Sequence, residues 1–112
     1  MLRGLRKIHS TGTGTGECFY LGCVSDGCRI ANSIIANNYC HNTTKATGGS
    51  HGSGVQVKPG SYNNIIQDNV CYQLGSVCVL VYDDYNRGRN QIIGNFLLDG
   101  NDNGIQATAG NR

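Results

Sequence analysis

The sequence predicts an all-β fold, a parallel β-helix in which short strands stack coil upon coil. Two observations support this prediction: an eight-residue pattern recurs three times without a gap, and a four-residue pattern recurs four times in phase with it. A repeat of about 20 to 50 residues is typical of a solenoid, since each repeat buries its apolar face only against its neighbours. We therefore expect a single β-helical unit over residues 1–112.

The eight-residue pattern begins with Asn or Ser, has an apolar residue two places on and Asn three places later, and ends on an apolar residue two beyond. Its second Asn recurs at 38, 69 and 95, which are 31 and then 26 residues apart. Asparagine at equivalent corners can hydrogen-bond to the asparagine above and below it, so we expect a ladder of Asn38, Asn69 and Asn95. Two apolar columns should point inward: Ile35, Ile66 and Ile92, and Cys40, Cys71 and Leu97.

The four-residue pattern has apolar residues at its second and fourth positions, in segments 18–21, 54–57, 78–81 and 104–107. This alternation is typical of a strand with one buried face, because successive side chains point to opposite sides. Together the two patterns predict two short strands in each repeat, joined by Gly- and Asn-rich corners. Two further inward columns follow: Phe19, Val55, Val79 and Ile105, and Leu21, Val57, Val81 and Ala107.

The composition fits a chain made mostly of strands and corners. Its 17 glycines and its asparagines suit corners that require a positive φ. Disorder is the alternative, but the in-phase Ile and Val positions argue against it because disorder requires low hydrophobicity. The net charge of +2 does not indicate a nucleic-acid partner. No stretch approaches the roughly 20 apolar residues of a membrane span, and no signal peptide is visible.

Neither end of the sequence shows the polar cap that a solenoid needs. The repeat extends back to residues 7–9, which align with residues 70–72, and the chain closes just after the strand pattern at 104–107. We therefore interpret the chain as about three to four coils, incomplete at both ends and near the minimum that stacking requires. The exposed ends would be covered by the rest of a longer solenoid, or by each other in a homo-oligomer.

Six cysteines are many for 112 residues. Cys23 and Cys28 bracket a turn-like loop and are placed to close a small disulfide. Neighbouring coils are about 4.8 Å apart, within disulfide range, so inward cysteines at equivalent positions could also be bonded. The alternative is that they are unbonded small hydrophobic residues. The spacings do not match a zinc site, so no metal is predicted. The equivalent pairs are Cys40 with Cys71, one coil apart, and Cys18 with Cys78, two coils apart.

The Asn-x-Ile-x-x-Asn-x-Ile repeat, present at 64–71 and more loosely at 33–40 and 90–97, resembles the right-handed parallel β-helix repeat of the pectate-lyase-like superfamily. The run at 54–66 resembles a segment common in secreted bacterial proteins of that group. The resemblance implies a short right-handed β-helix, a secreted or cell-surface parent protein and a polysaccharide partner. Known members are mostly lyases and hydrolases of acidic polysaccharides, with phage tailspikes and epimerases. Fold alone does not carry one of these functions to this chain.

A polysaccharide lyase would need a base near the sugar C5 proton and a cation on the carboxylate. Lys58, at a strand end, is the best candidate base, with Arg87 or Arg89 as helpers. The lyase motifs of the family do not match this chain. The residue before Ser61 is Gly60, where the calcium-assisted lyases have their lysine, and Gln56 stands where a carboxylate would assist. The Arg-x-Pro-x-x-Arg signature of the classical pectate lyases is also absent. A solvated strand-end lysine is therefore the favoured interpretation of Lys58.

A glycoside hydrolase would need carboxylates spaced across a groove. Asp83 and Asp84 form the only adjacent acidic pair, flanked by Tyr82 and Tyr85, and the other hydrolase motifs of the family are missing. We interpret residues 82–89 as a polar loop between coils, which is also the best candidate sugar site because tyrosine faces can stack on pyranose rings.

These observations predict a non-catalytic, carbohydrate-binding β-helix segment of a larger polysaccharide-active protein, with no cofactor. The alternatives are a lyase of acidic polysaccharides and a self-associating structural solenoid.

Overall fold

Every regular element is a β-strand in the residues that the computed structural model describes, namely 2–3, 6–7, 16–23, 27–43, 52–99 and 104–108. The strands have two or three residues each, as expected where Gly- and Asn-rich corners interrupt short runs of Ile, Val and Leu. They are β1 (Leu2–Arg3), β2 (Arg6–Lys7), β3 (Phe19–Leu21), β4 (Ile34–Ala36), β5 (Tyr39–His41), β6 (Val55–Val57), β7 (Ile65–Gln67), β8 (Val70–Tyr72), β9 (Val79–Val81), β10 (Gln91–Ile93), β11 (Phe96–Leu98) and β12 (Ile105–Ala107).

The strands form three sheets, and each sheet takes every third strand of the chain. Sheet A has the order β1-β4-β7-β10, sheet B β2-β5-β8-β11 and sheet C β3-β6-β9-β12. All of the strand pairs are parallel. The chain therefore passes through the three sheets in turn and adds one strand to each, as a short β-solenoid does. The predicted all-β, parallel stacked architecture is confirmed. We call three successive strands, one from each sheet, a coil.

Each coil contains three strands, so the prediction of two strands in each repeat is wrong. The eight-residue pattern supplies two of them, because a corner divides it. At that corner Asn37, Asp68 and Gly94 have φ values of 56°, 52° and 60°. This left-handed conformation turns the chain from sheet A into sheet B within two residues, and Asn, Asp and Gly are the residue types that adopt it most readily.

The predicted asparagine ladder is confirmed. The Nδ2 atom of Asn38 donates to Oδ1 of Asn69 over 3.0 Å, and Nδ2 of Asn69 donates to Oδ1 of Asn95 over 2.8 Å. A second ladder, which the sequence patterns did not single out, joins Asn64 to Asn90 just before β7 and β10 of sheet A, with an Nδ2–Oδ1 distance of 2.9 Å. These amides pair buried polar groups that the corners of the coil would otherwise leave unsatisfied.

The registers of the inward columns agree with the sequence patterns. Val55 pairs with Phe19 and Val79, and Ile66 pairs with Ile35 and Ile92. The core has its most buried members in the middle coils, including Ile66, Val57 and Val81, which are fully buried. One register differs from prediction: Lys7 pairs with Cys40, and Cys40 with Cys71, so Lys7 aligns with Cys71 and not with Val70, its expected counterpart. Residues 8 and 9 lie outside the described part of the chain.

All six cysteines are bonded, but the inward ones do not pair as the registers suggested. Cys40 and Cys71 are neighbours in sheet B, as expected, yet neither bonds the other. Each is linked instead to a cysteine at the start of a sheet C strand. The coil that contains Cys40 has Gly54 at the position that Cys18 and Cys78 hold in the coils on either side. Cys40 therefore has no cysteine partner at that position in its own coil and bonds Cys18 of the coil before. The disulfides are Cys18–Cys40, Cys71–Cys78 and Cys23–Cys28.

Candidate functional site

The connections between strands are longest on the two sides of sheet C. Sheets A and B are joined by only two residues each time, at 37–38, 68–69 and 94–95. The connections that leave sheet C for sheet A are longer, at 22–33, 58–64 and 82–90. Binding residues are found disproportionately on loops that a rigid scaffold positions. The outer face of sheet C, which these loops flank, is therefore the candidate site.

Lys58 lies on this face between two tyrosine rings. It follows β6 directly and shares the outer side of the strand with Gln56, because alternate residues point the same way. Its Nζ atom is 4.6 Å from the ring centroid of Tyr82 and 5.0 Å from that of Tyr20, which come from the coils on either side. Only 6% of Lys58 is exposed. Its interpretation as a solvated lysine is therefore wrong, since the aromatic faces bury its ammonium group in cation–π contact.

The middle of the outer face of sheet C is enclosed, unlike the outer face of sheet B. Gln56 and Leu80, which are outward neighbours in register on β6 and β9, are 3% and 4% exposed. On sheet B the outward residues Val70 and Phe96 are 40% and 57% exposed. The Oε1 atom of Gln56 is buried and has no hydrogen-bond partner in the part of the chain that the structure describes. The enclosed face thus holds an ammonium group and an unpaired amide oxygen.

The acidic pair of the loop at 82–90 stabilises a turn. Oδ1 of Asp83 accepts a hydrogen bond from the backbone N–H of Tyr85, and Oδ1 of Asp84 accepts one from that of Asn86, each over 2.8 Å. Tyr85 and Asn86 have φ values of 54° and 60°, so these bonds hold two residues in the left-handed region. Asp84 is only 1% exposed. The carboxylates therefore support the loop, as its interpretation as a polar connection expects.

The two arginines of the loop lie in different surroundings. Nη1 of Arg87 donates to the carbonyl oxygen of Gly60 over 3.4 Å, and its guanidinium lies 5.5 Å from the ring centroid of Tyr85. Gly60 belongs to the turn that follows Lys58, so Arg87 stands beside the lysine site. Arg89 instead lines two open hollows of about 450 and 300 Å³. The first of these is formed with residues 91–93 of β10 and the second with the turn at 84–88.

The backbone fastens the loop at 82–90 to the turn after Lys58. The N–H of Tyr82 donates to the carbonyl of Val57 over 3.0 Å, and that of Gly60 donates to the carbonyl of Asp83 over 2.8 Å. The structure therefore brings together Lys58, Tyr82, Asp83 and Arg87 from two coils. It places Tyr85, which is 49% exposed, at the outer rim beside Arg87.

Sequence reasoning missed Tyr20 and Leu80, and it considered Gln56 only as the residue that stands where a lyase would have a carboxylate. A usable signal was present: in the four-residue pattern the second and fourth positions point inward, so the third positions form an outward column. Those third positions are Tyr20, Gln56, Leu80 and Gln106. What the pattern does not show is that this outward column is buried in its middle.

The described residues of the site do not form a metal centre. Among the described residues, no three His, Cys, Asp or Glu side chains are grouped to hold an ion. The loop from sheet C to sheet A that precedes β4 is closed by Cys23 and Cys28, whose Cα atoms are 5.4 Å apart. The chemistry that these residues offer is hydrogen bonding, cation–π contact and ring stacking.

Comparisons with protein-family models, with curated proteins and with solved structures found no significant match to this chain. Within the part of the chain that the structure describes, there is no helix with the length and apolar character needed to cross a membrane.

Proposed function

We propose that this chain is a non-catalytic, carbohydrate-binding β-helix that holds a sugar chain on the outer face of sheet C. The observation that carries the proposal is the Lys58 ammonium between the rings of Tyr20 and Tyr82, on a face bordered by the longest loops. Sugar sites combine flat aromatic surfaces with a few polar groups that fix orientation. Tyr20 is 41% exposed, so part of its surface is open to a ligand.

The handedness and size of the solenoid belong to the same proposal. We infer a helix of about three to four coils, and we infer that it is right-handed because parallel strands in one sheet are joined by right-handed crossovers in about 98% of cases. The resemblance of the Asn-x-Ile repeat to the pectate-lyase-like superfamily supports this inference and a polysaccharide partner.

Binding is favoured over lyase catalysis by the surroundings of Lys58. A lyase needs a base that removes the sugar C5 proton, whereas a lysine held between aromatic faces is placed to donate hydrogen bonds. The Nζ atom of Lys58 lies 4.6 Å and 5.0 Å from the ring centroids of Tyr82 and Tyr20, which is the second arrangement. Asp83 and Asp84 are engaged in the turn, so they do not form a free carboxylate pair for hydrolysis either.

Affinity electrophoresis in gels that contain polygalacturonate or hydroxyethyl cellulose tests the proposal. We expect at least one polymer to retard the protein, and Tyr82→Ala to weaken the retardation about tenfold, or about 1.4 kcal/mol, because it removes one of the two rings. Tyr72→Ala is the matched control: Tyr72 is a half-buried tyrosine on the outer face of sheet B. Circular dichroism establishes that both variants fold.

Two results would contradict this function. Mobility unchanged by either polymer would refute carbohydrate binding. Release of an unsaturated, ultraviolet-absorbing uronate product that is lost in Lys58→Ala would show that the protein is a lyase.

Self-association through the last described strands of the stack is a second candidate. β10, β11 and β12 are the last described strands of their sheets, and four of their apolar side chains are about half exposed. Exposed strand edges and apolar surface favour association. These side chains are Ile93, Phe96, Leu98 and Ile105, at 48%, 57%, 51% and 48% exposure.

A further inference from the structure

The amide oxygen of Gln56 is an unused hydrogen-bond acceptor inside the candidate site. Gln56 is 3% exposed and its Oε1 atom has no partner in the described part of the chain. More than nine in ten buried polar groups of folded proteins are hydrogen-bonded, so such an atom requires an explanation. The buried asparagines of the two ladders, Asn38, Asn64, Asn69 and Asn90, are all paired. The Oγ atom of the buried Ser53 also has no partner in the described part of the chain, whereas Gln56 Oε1 is the unpaired atom on the outer face of sheet C.

The neighbours of Gln56 restrict what can pair with it. Lys58 lies two residues along the same side of β6, Tyr20 is in register on β3, and Leu80 is in register on β9. A carbonyl oxygen accepts hydrogen bonds and cannot donate them, so the missing partner must be a donor. A ligand ammonium would be repelled by Lys58, and a carboxylate or sulfate has no proton to donate. A hydroxyl group meets both conditions, because it can donate to Gln56 and accept from Lys58.

We propose that Gln56 Oε1 and Lys58 Nζ form a hydroxyl-binding subsite, in which one sugar ring lies against Tyr20 with a hydroxyl hydrogen-bonded to the Gln56 oxygen. This inference rests on the proposed carbohydrate function and deepens it: the residue that selects the ligand is a buried glutamine, and the feature it selects is a hydroxyl group. The aromatic ring and Leu80 supply the apolar surface on which the less polar face of a sugar packs.

The substitution that tests the subsite is Gln56→Met. Methionine has nearly the same shape as glutamine but lacks the amide oxygen, so it fills the space without an acceptor. The matched control is Gln106→Met, since Gln106 occupies the same outward column on β12 and is exposed. Affinity electrophoresis with hydroxyethyl cellulose and with polygalacturonate measures binding, and urea unfolding measures the stability of the ligand-free protein.

We expect Gln56→Met to bind the retarding polymer at least tenfold more weakly while its ligand-free urea midpoint stays unchanged or rises, because an unpaired buried oxygen has been removed. Gln106→Met should change neither. A lower midpoint with unchanged binding would show that Gln56 has a purely structural partner, such as a buried water, and would overturn the inference. Unchanged binding in Gln56→Met alongside weakened binding in Tyr82→Ala would overturn the subsite alone. A wild-type protein that neither polymer retards would overturn the carbohydrate function and the subsite with it.

Discussion

Replacement of Asn69, the middle residue of the asparagine ladder, should cause a large loss of folding stability. Asn69 makes four side-chain hydrogen bonds: it accepts from the N–H and Nδ2 of Asn38, and it donates to the carbonyl of Ile35 and to Oδ1 of Asn95. The residue is 2% exposed and does not have a positive φ, so alanine removes these bonds without adding backbone strain. At about 1 kcal/mol for each bond, Asn69→Ala should lower the free energy of unfolding by about 4 kcal/mol.

Urea unfolding followed by circular dichroism measures this loss. With a slope of about 1.5 kcal/mol per molar urea, the midpoint should fall by roughly 2 to 3 M. The control is Asn63→Gly: Asn63 is exposed, makes one ladder bond of 3.3 Å to Asn32 and has a φ of 54°, which glycine adopts freely. A loss in Asn69→Ala no greater than that in Asn63→Gly would refute the argument that buried ladder amides stabilise the stack.

Two further predictions concern packing inside the stack and at its end. Gly54→Ala should lower the free energy of unfolding by about 2 kcal/mol, because a Cβ there would lie 2.6 Å from the Cys78 carbonyl oxygen and 2.8 Å from the Cys71 sulfur. The control is Gly104→Ala, which should leave thermal unfolding nearly unchanged because the nearest atom to its Cβ would be 3.7 Å away. Equal effects of the two substitutions on thermal unfolding would contradict the close packing at Gly54. Light scattering should give a mass above 12.0 kDa for the wild-type chain and a lower mass for Phe96→Ser, whereas a wild-type monomer would exclude association through this end.

The fold could be predicted closely because parallel stacking repeats the same local requirement in each coil. The columns of Val55 and Ile66 and the ladder of Asn69 are visible in the sequence since equivalent positions in successive coils must satisfy the same neighbours. The third strand was missed because its corner needs only one left-handed residue, at 37, 68 or 94, and interrupts no apolar pattern. The residue types there, Asn, Asp and Gly, were the available signal.

The site and the core disulfides were harder to predict because they join positions that are not equivalent. The burial of Lys58 depends on Tyr20 in the coil before and Tyr82 in the coil after. An alignment of repeats compares each residue with the residues at the same position in other coils, so it does not show contacts between different positions. In the same way, Cys40 bonds Cys18 across two sheets and not its counterpart Cys71. The sequence pattern defines columns, whereas contacts between columns require the cross-section of the coil.

The unequal connections of the coil separate the part of the chain that fixes register from the part that can change length. The corner between sheets A and B has two residues each time, while the link from sheet B to sheet C has thirteen residues after β5 and six after β8. Because the apolar columns stay aligned across that difference, loops beside sheet C tolerate insertion and deletion at little cost to stacking. A protein built this way can acquire new recognition loops, by evolution or by grafting, on the face where its candidate site already lies.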